Sequence, residues 1–172
     1  MDKLINIDGS ELTINYPSSW NEMTVKEYIL LNEILEKQTN TLLLITEYLE
    51  ALNGGMSLRR MKNSDFQDII KSMTFIKTEL PKDNQITKVT IDGQDYNLID
   101  FKELTVAESI DLSFLMEQGD PIKNLGKFFC IVLRKPLEEW NTKLWERESM
   151  FLNIPVSSII YAFNFFLHIK KK

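Results

Sequence analysis

The sequence predicts an α+β fold, predominantly α-helical, built by internal duplication of a β-hairpin followed by helices. Three observations carry this expectation. The phrase NEMTVKEYILL, Asn21 to Leu31, returns as KELTVAESIDL, Lys102 to Leu112. Ile7-Asp8-Gly9 returns as Ile91-Asp92-Gly93. Apolar stretches at helical spacing then follow each phrase in the same order. The copies are read as Met1–Leu80 and Asp83–Lys172, joined around TELPKDNQ. About eighty residues bury only a modest core, so the halves are expected to pack as one pseudo-twofold module.

Each element has a local reason. Asp-Gly between alternating apolar residues marks a two-residue hairpin, because a type I′ turn needs positive φ. The first hairpin is expected over Leu4 to Ile7 and Glu11 to Tyr16, the second over Thr87 to Ile91 and Asp95 to Ile99. Thr24-Val-Lys-Glu27 and Thr105-Val-Ala-Glu108 read as capping boxes. The threonine hydroxyl accepts the glutamate N–H and the carboxylate reaches back, each cap contributing about 1 kcal/mol. Met23 is placed to staple onto Tyr28, whereas the second copy has Ser109 there.

Thr41 to Leu52 follows as a helix with Leu44, Ile45, Tyr48, Leu49 and Leu52 on one side, ended by Asn53-Gly54-Gly55. Its counterpart starts at Asp120 as N-cap and Pro121, with Leu125, Phe128, Phe129, Val132 and Leu133 as its apolar face. SLRRM (Ser57 to Met61) and PLEEW (Pro136 to Trp140) read as short helical turns. Asp65 to Phe75 and Val156 to Phe166 close the two copies as apolar helices. The second copy carries an extra segment before its last helix, and that segment includes Trp145.

Composition narrows the function. Hydrophobic residues make up 44% of the 172 residues and charged residues 26%, as in an ordinary globular chain. The net charge of −5 argues against non-specific nucleic-acid binding. Cys130 is the single cysteine, so no intramolecular disulfide forms, which fits a reducing compartment. Met1 to Ile7 lacks the pattern of a signal peptide. Phe151 to Ile169 is apolar-rich, but Asn153, Pro155, Ser157, Ser158, Asn164 and His168 interrupt it. A buried terminal helix is expected there rather than a membrane span.

No constellation announces catalysis, a cofactor or a metal. His168, the single histidine, stands beside Lys170, Lys171 and Lys172 with no carboxylate or nucleophile assigned to it. Cys130 lies in the apolar run KFFCIVL, where a buried thiol is inert. One histidine and one cysteine do not build a zinc site, and Asp92-Gly93-Gln94-Asp95 is too sparse for a calcium loop. Gly54-Gly55 fits helix termination and no phosphate-binding pattern. Glu47, Glu50, Asp65, Asp68, Glu138 and Glu139 read as solvated helix faces.

Interaction features are better represented. Arg59 and Arg60 align between the copies with Glu138 and Glu139, so equivalent positions carry opposite charge and could join subunits in a ring or chain. Trp20, Trp140 and Trp145, with Tyr161, Phe163, Phe165 and Phe166, are candidates for core or for a partner contact. Arg59, Arg60, Glu138, Glu139, Trp140 and Trp145 are therefore the candidate partner-binding residues.

PSSWNEMTVKEYILL and DFKELTVAESIDL resemble the openings of small tail-assembly chaperones and baseplate-assembly proteins of tailed bacteriophages. The lysine-, asparagine- and isoleucine-rich character is similar to phages of low-GC gut bacteria, including crAss-like phages. The resemblance implies a non-enzymatic structural or assembly protein of the tail, baseplate or portal-proximal region. It also implies other phage proteins as partners, homo-oligomer included, in the host cytoplasm during assembly or in the virion. The tandem duplication departs from a simple chaperone and points toward a virion subunit. The competing expectation is a phage-encoded regulator or nucleic-acid-associated protein using Arg59, Arg60, Lys62 and the terminal lysines.

Overall fold

The computed structural model describes residues 1–80, 87–117, 120–159 and 162. These residues form an α+β fold in two compact units. One comprises Met1–Met23 and Glu27–Glu79, the other Thr24–Lys26 and the described part of Leu80–Lys172.

The first unit opens on strands β1 (Asp2–Ile7) and β2 (Ser10–Asn15), paired antiparallel with Ile7 opposite Ser10. Asp8 and Gly9 form the turn at φ 52° and 85°, the positive values a type I′ turn requires. Alternation buries Ile5 and Ile14 on one face. Helix α1 (Val25–Leu35) starts where the threonine phrase places it. Helix α2 (Thr41–Leu52) is capped by Asn40, whose side chain accepts from the Leu42 and Leu43 N–H groups. Its buried stripe is Leu44, Ile45, Tyr48 and Leu49.

Two polar contacts tie the hairpin to the helices. The Asn53 side chain exchanges hydrogen bonds with the Asn15 backbone at 2.9 and 3.1 Å, in the manner of another strand residue. Lys3 reaches Asp68 at 2.8 Å and Asp65 at 3.6 Å on α3 (Asn63–Ser72). The helix expected over Asp65 to Phe75 thus begins and ends earlier, and a 3-10 turn (Thr74–Lys77) takes over. That turn holds Phe75 edge-on to Trp20, with ring centroids 5.0 Å apart.

The second unit repeats the opening. Strands β3 (Lys88–Ile91) and β4 (Gln94–Leu98) join through Asp92 and Gly93 at φ 50° and 76°. Helix α4 (Val106–Glu117) follows a 3-10 turn (Phe101–Glu103). The units then diverge. Asp120 caps only a turn, accepting from the Ile122 N–H, and α5 (Leu125–Val132) begins later. Every residue of α5 except Lys127 is buried, so it has no single apolar face.

Leu133 leaves the helix: with Arg134 it forms β5, pairing with Leu98 and Asn97 to give a three-stranded sheet. The apolar run continues helical spacing through Leu133, but β4 offers a free edge and the backbone takes it. The extra segment forms a 3-10 stretch (Thr142–Arg147) and α6 (Glu148–Leu152). Helix α6 packs on α5 at Gly126, where an added Cβ would lie 2.7 Å from Glu148 Cγ. Ile154 accepts the Val25 N–H at 3.0 Å, and Pro155 bridges Thr24.

The terminal helix expected over Val156 to Phe166 begins as a 3-10 turn (Val156–Ser158). Of the rest, Ile160, Tyr161 and residues 163–166 lie outside the described residues, as do His168 and the terminal lysines. SLRRM and PLEEW are turns, closed by Met61 N–H to Leu58 C=O and Glu138 N–H to Lys135 C=O. Among the described residues, no helix is long and apolar enough to cross a membrane.

Candidate partner-binding surface

The second unit concentrates the candidates, and a buried charge organises them. At the start of α4, Thr105 Oγ1 accepts the Glu108 N–H at 3.3 Å while the Glu108 carboxylate accepts the Thr105 N–H. The second capping box is therefore formed as the spacing predicts. Its carboxylate is buried and also takes an ion pair from Arg134. Arg134 is buried as well, donates twice more to the Ile131 carbonyl, and lies 5.7 Å from the centre of the Trp140 ring. Burial pushes the Glu108 carboxyl up, but the Thr105 hydroxyl, the Thr105 N–H and Arg134 outweigh it and hold the group below its ordinary value.

Trp140 is anchored by its indole N–H to Asp111 at 2.8 Å. Its ring centroid is 6.1 Å from that of Trp145, over which Lys127 sits at 5.9 Å. Both tryptophans are half-buried. They brace the Arg134 region and α5 from outside, so each serves packing while leaving part of a ring to solvent.

The turn before them is held firmly. Arg147 grips Glu138 with two parallel hydrogen bonds, one of 2.7 Å, and Glu138 also accepts the Lys135 N–H at 3.2 Å. The Arg147 hydrogen bonds chiefly depress the Glu138 carboxyl, against the opposing effect of burial. Between these anchors Pro136 and Leu137 project. Leu137 has φ 62° and is fully exposed. A left-handed leucine costs roughly 1–2 kcal/mol, and its exposure recovers nothing.

Helix α4 has a second apolar stripe. Glu108, Leu112 and Leu115 face inward. On the opposite side Val106, Ile110 and Phe114 are 77%, 62% and 54% exposed. They line a shallow groove of about 470 Å³ with Leu104, Ser113 and Glu117. The outer side carries apolar residues at i, i+4 and i+8, while the inner side carries Leu112 and Leu115 beside the buried Glu108. The twin position Val25 is fully buried, so the shared Thr-Val phrase did not betray the difference.

The arginine candidates belong to the first unit. Arg60 pairs with Asp8 at 2.6 Å, both side chains exposed. Arg59 is exposed and lines, with Leu43, Glu47, Glu50, Leu58, Met61 and Phe66, a groove of about 510 Å³. Of the four charges set in opposition by the alignment, Arg60 and Glu138 are engaged within their own units. Arg59 and Glu139 are exposed, and their charged groups make no hydrogen bond or ion pair among the described residues.

Cys130 is buried, and burial pushes its thiol up to about 12. A thiol so held is not a nucleophile at neutral pH. Among the described residues, no group of three or more His, Cys, Asp or Glu side chains could hold a metal ion. Comparison with known proteins finds no family model, no curated protein and no solved structure that matches the chain.

Proposed function

We propose that the chain is a non-catalytic assembly subunit whose α4 outer face receives an amphipathic helix from another component. The supporting observation is the exposed stripe Val106, Ile110 and Phe114, which leaves more apolar side chain in water than α4 needs for its own packing. Glu117 lines the groove, so the fitting helix is apolar along one side and carries a basic residue where it meets Glu117. The resemblance of the two threonine phrases makes tail, baseplate or portal-proximal proteins of tailed phages the first partners to try. Tandem origin of the two units belongs to the same reading. It is supported by their shared Asp-Gly hairpin turns and by a helix that starts at Val25 in the one phrase and at Val106 in the other.

The test is co-expression with the products of neighbouring genes, followed by light scattering on a sizing column. A complex of defined stoichiometry is expected, lost when Val106, Ile110 and Phe114 are replaced by serine. These side chains are exposed, so the variant folds. A complex unchanged by the triple substitution would overturn the reading.

A further inference from the structure

We propose that Asn53, at the end of α2, is a site of spontaneous deamidation that the docked first hairpin restrains, and that its conversion loosens β2 at Asn15. This goes beyond the assembly reading and does not depend on it.

Three observations carry it. Asn53 precedes Gly54, the single Asn-Gly pair in the chain. Deamidation needs the next backbone nitrogen to reach the side-chain carbonyl carbon, and glycine, with no Cβ, obstructs that approach least. Gly54 is exposed at φ 74°, with open space where a Cβ would stand, so water reaches this peptide. The Asn53 amide, in contrast, is held. Its nitrogen donates to the Leu49 carbonyl at 2.8 Å and to the Asn15 carbonyl at 3.1 Å, and its oxygen accepts the Asn15 N–H at 2.9 Å. Reaching the ring geometry displaces that amide, so the reaction follows local opening of the hairpin. Finally, both donations depend on the NH2 group that the reaction removes.

The Gly54 nitrogen gives up its proton and bonds to Asn53 Cγ. The Cγ–Nδ2 bond breaks, and that nitrogen leaves as ammonia with the proton. Water then opens the five-membered imide, at Cγ to give aspartate or at the Asn53 backbone carbonyl to give isoaspartate. Aspartate sets an oxygen against the Leu49 and Asn15 carbonyls. It also adds negative charge at the C-terminal end of α2, where the helix dipole already opposes it. Isoaspartate lengthens the main chain by one carbon at the same corner. The Lys3–Asp68 and Arg60–Asp8 pairs are untouched, so the hairpin loosens at Asn15 and is not set free.

Peptide mapping by mass spectrometry follows conversion in the full chain at mildly alkaline pH, folded and in strong urea. Asn53 should convert in urea and be slower by roughly tenfold or more in the folded chain. Hydrogen exchange by NMR reads the consequence in Asn53→Asp and in the aged parent. The Asn15 amide should exchange about tenfold faster in both. The Ile99 amide, bonded to the Val132 carbonyl in the second unit, should exchange as before and so shows that the chain is folded. The aged parent supplies the same readout if the variant does not fold. Equal conversion of Asn53 in folded and unfolded chains overturns the proposal. So does an Asn53 that stays intact in urea, or an Asn15 amide as protected after conversion as before it.

Discussion

Removing the carboxylate of Glu108 should be the most costly single change in the second unit's polar interior. Glu108 is 2% exposed and serves two donors: the Thr105 N–H that starts α4 and the buried Arg134. Loss of the cap costs about 1 kcal/mol. Arg134 then keeps the Ile131 carbonyl and the Trp140 face but no countercharge. Breaking a buried pair from one side costs about 3–5 kcal/mol, so Glu108→Ala is expected near 4 kcal/mol. Glu108→Gln keeps an acceptor without the charge and should cost about half as much.

Arg134→Met is comparable to the alanine change, because it strands the carboxylate. The combination of Glu108→Gln and Arg134→Met should cost about 2 kcal/mol less than the sum of its parts. Urea unfolding followed by fluorescence in a Trp20→Phe background reads this, since Trp140 and Trp145 then report the second unit alone. The acid limb is a second readout. The folded Glu108 carboxyl lies below its ordinary value, so its stabilisation is present above the unfolded value of about 4.3 and is lost as pH falls through the folded one. Glu108→Gln should flatten that window, with Glu138 still contributing in the same sense. Single changes that add to within about 0.5 kcal/mol, or an unaltered acid limb, would refute the argument.

Gly126→Ala should destabilise by about 1 kcal/mol despite alanine's better helix propensity, because the new methyl meets Glu148 Cγ at 2.7 Å. Thermal unfolding checks it, and a gain in stability would mean that α6 yields freely. Cys130 should resist thiol reagents at pH 8 until denaturant opens the second unit; rapid labelling of the native chain would contradict its burial. Leu137→Asn should leave stability unchanged or raise it by up to about 1 kcal/mol, since asparagine tolerates the φ of 62° better than leucine. A clear loss would show that Leu137 packs against something.

What the sequence disclosed follows how local each determinant is. Both Asp-Gly turns, the Thr105–Glu108 box and the whole of α2 rest on residues a few positions apart, and each appears where its spacing placed it. Long-range choices were hidden. Leu133 continues a helical apolar period, yet the free edge of β4 captures it. Glu108 reads as a capping residue, and only the fold brings Arg134 to it. Glu138 looked like a surface acid until Arg147 closed on it, while Glu139, its neighbour, stayed exposed. Trp140 and Trp145 come together as interface candidates, but they also brace the Arg134 region and α5. The exposed stripe on α4 was visible as periodicity. That no element among the described residues covers it was not, because Val25, the aligned residue of the first phrase, is buried.

Hydroxyl-radical footprinting of side chains addresses the assembly claim most directly, applied to the free chain and to its complex with neighbouring gene products. In the free chain, Phe114 should be oxidised as fast as its 54% exposure allows, and Phe128 and Phe129 in the core hardly at all. In the complex, oxidation of Val106, Ile110 and Phe114 should fall severalfold while Leu4 and Leu35 react as before. Equal reactivity of the α4 side chains in both states would contradict the account.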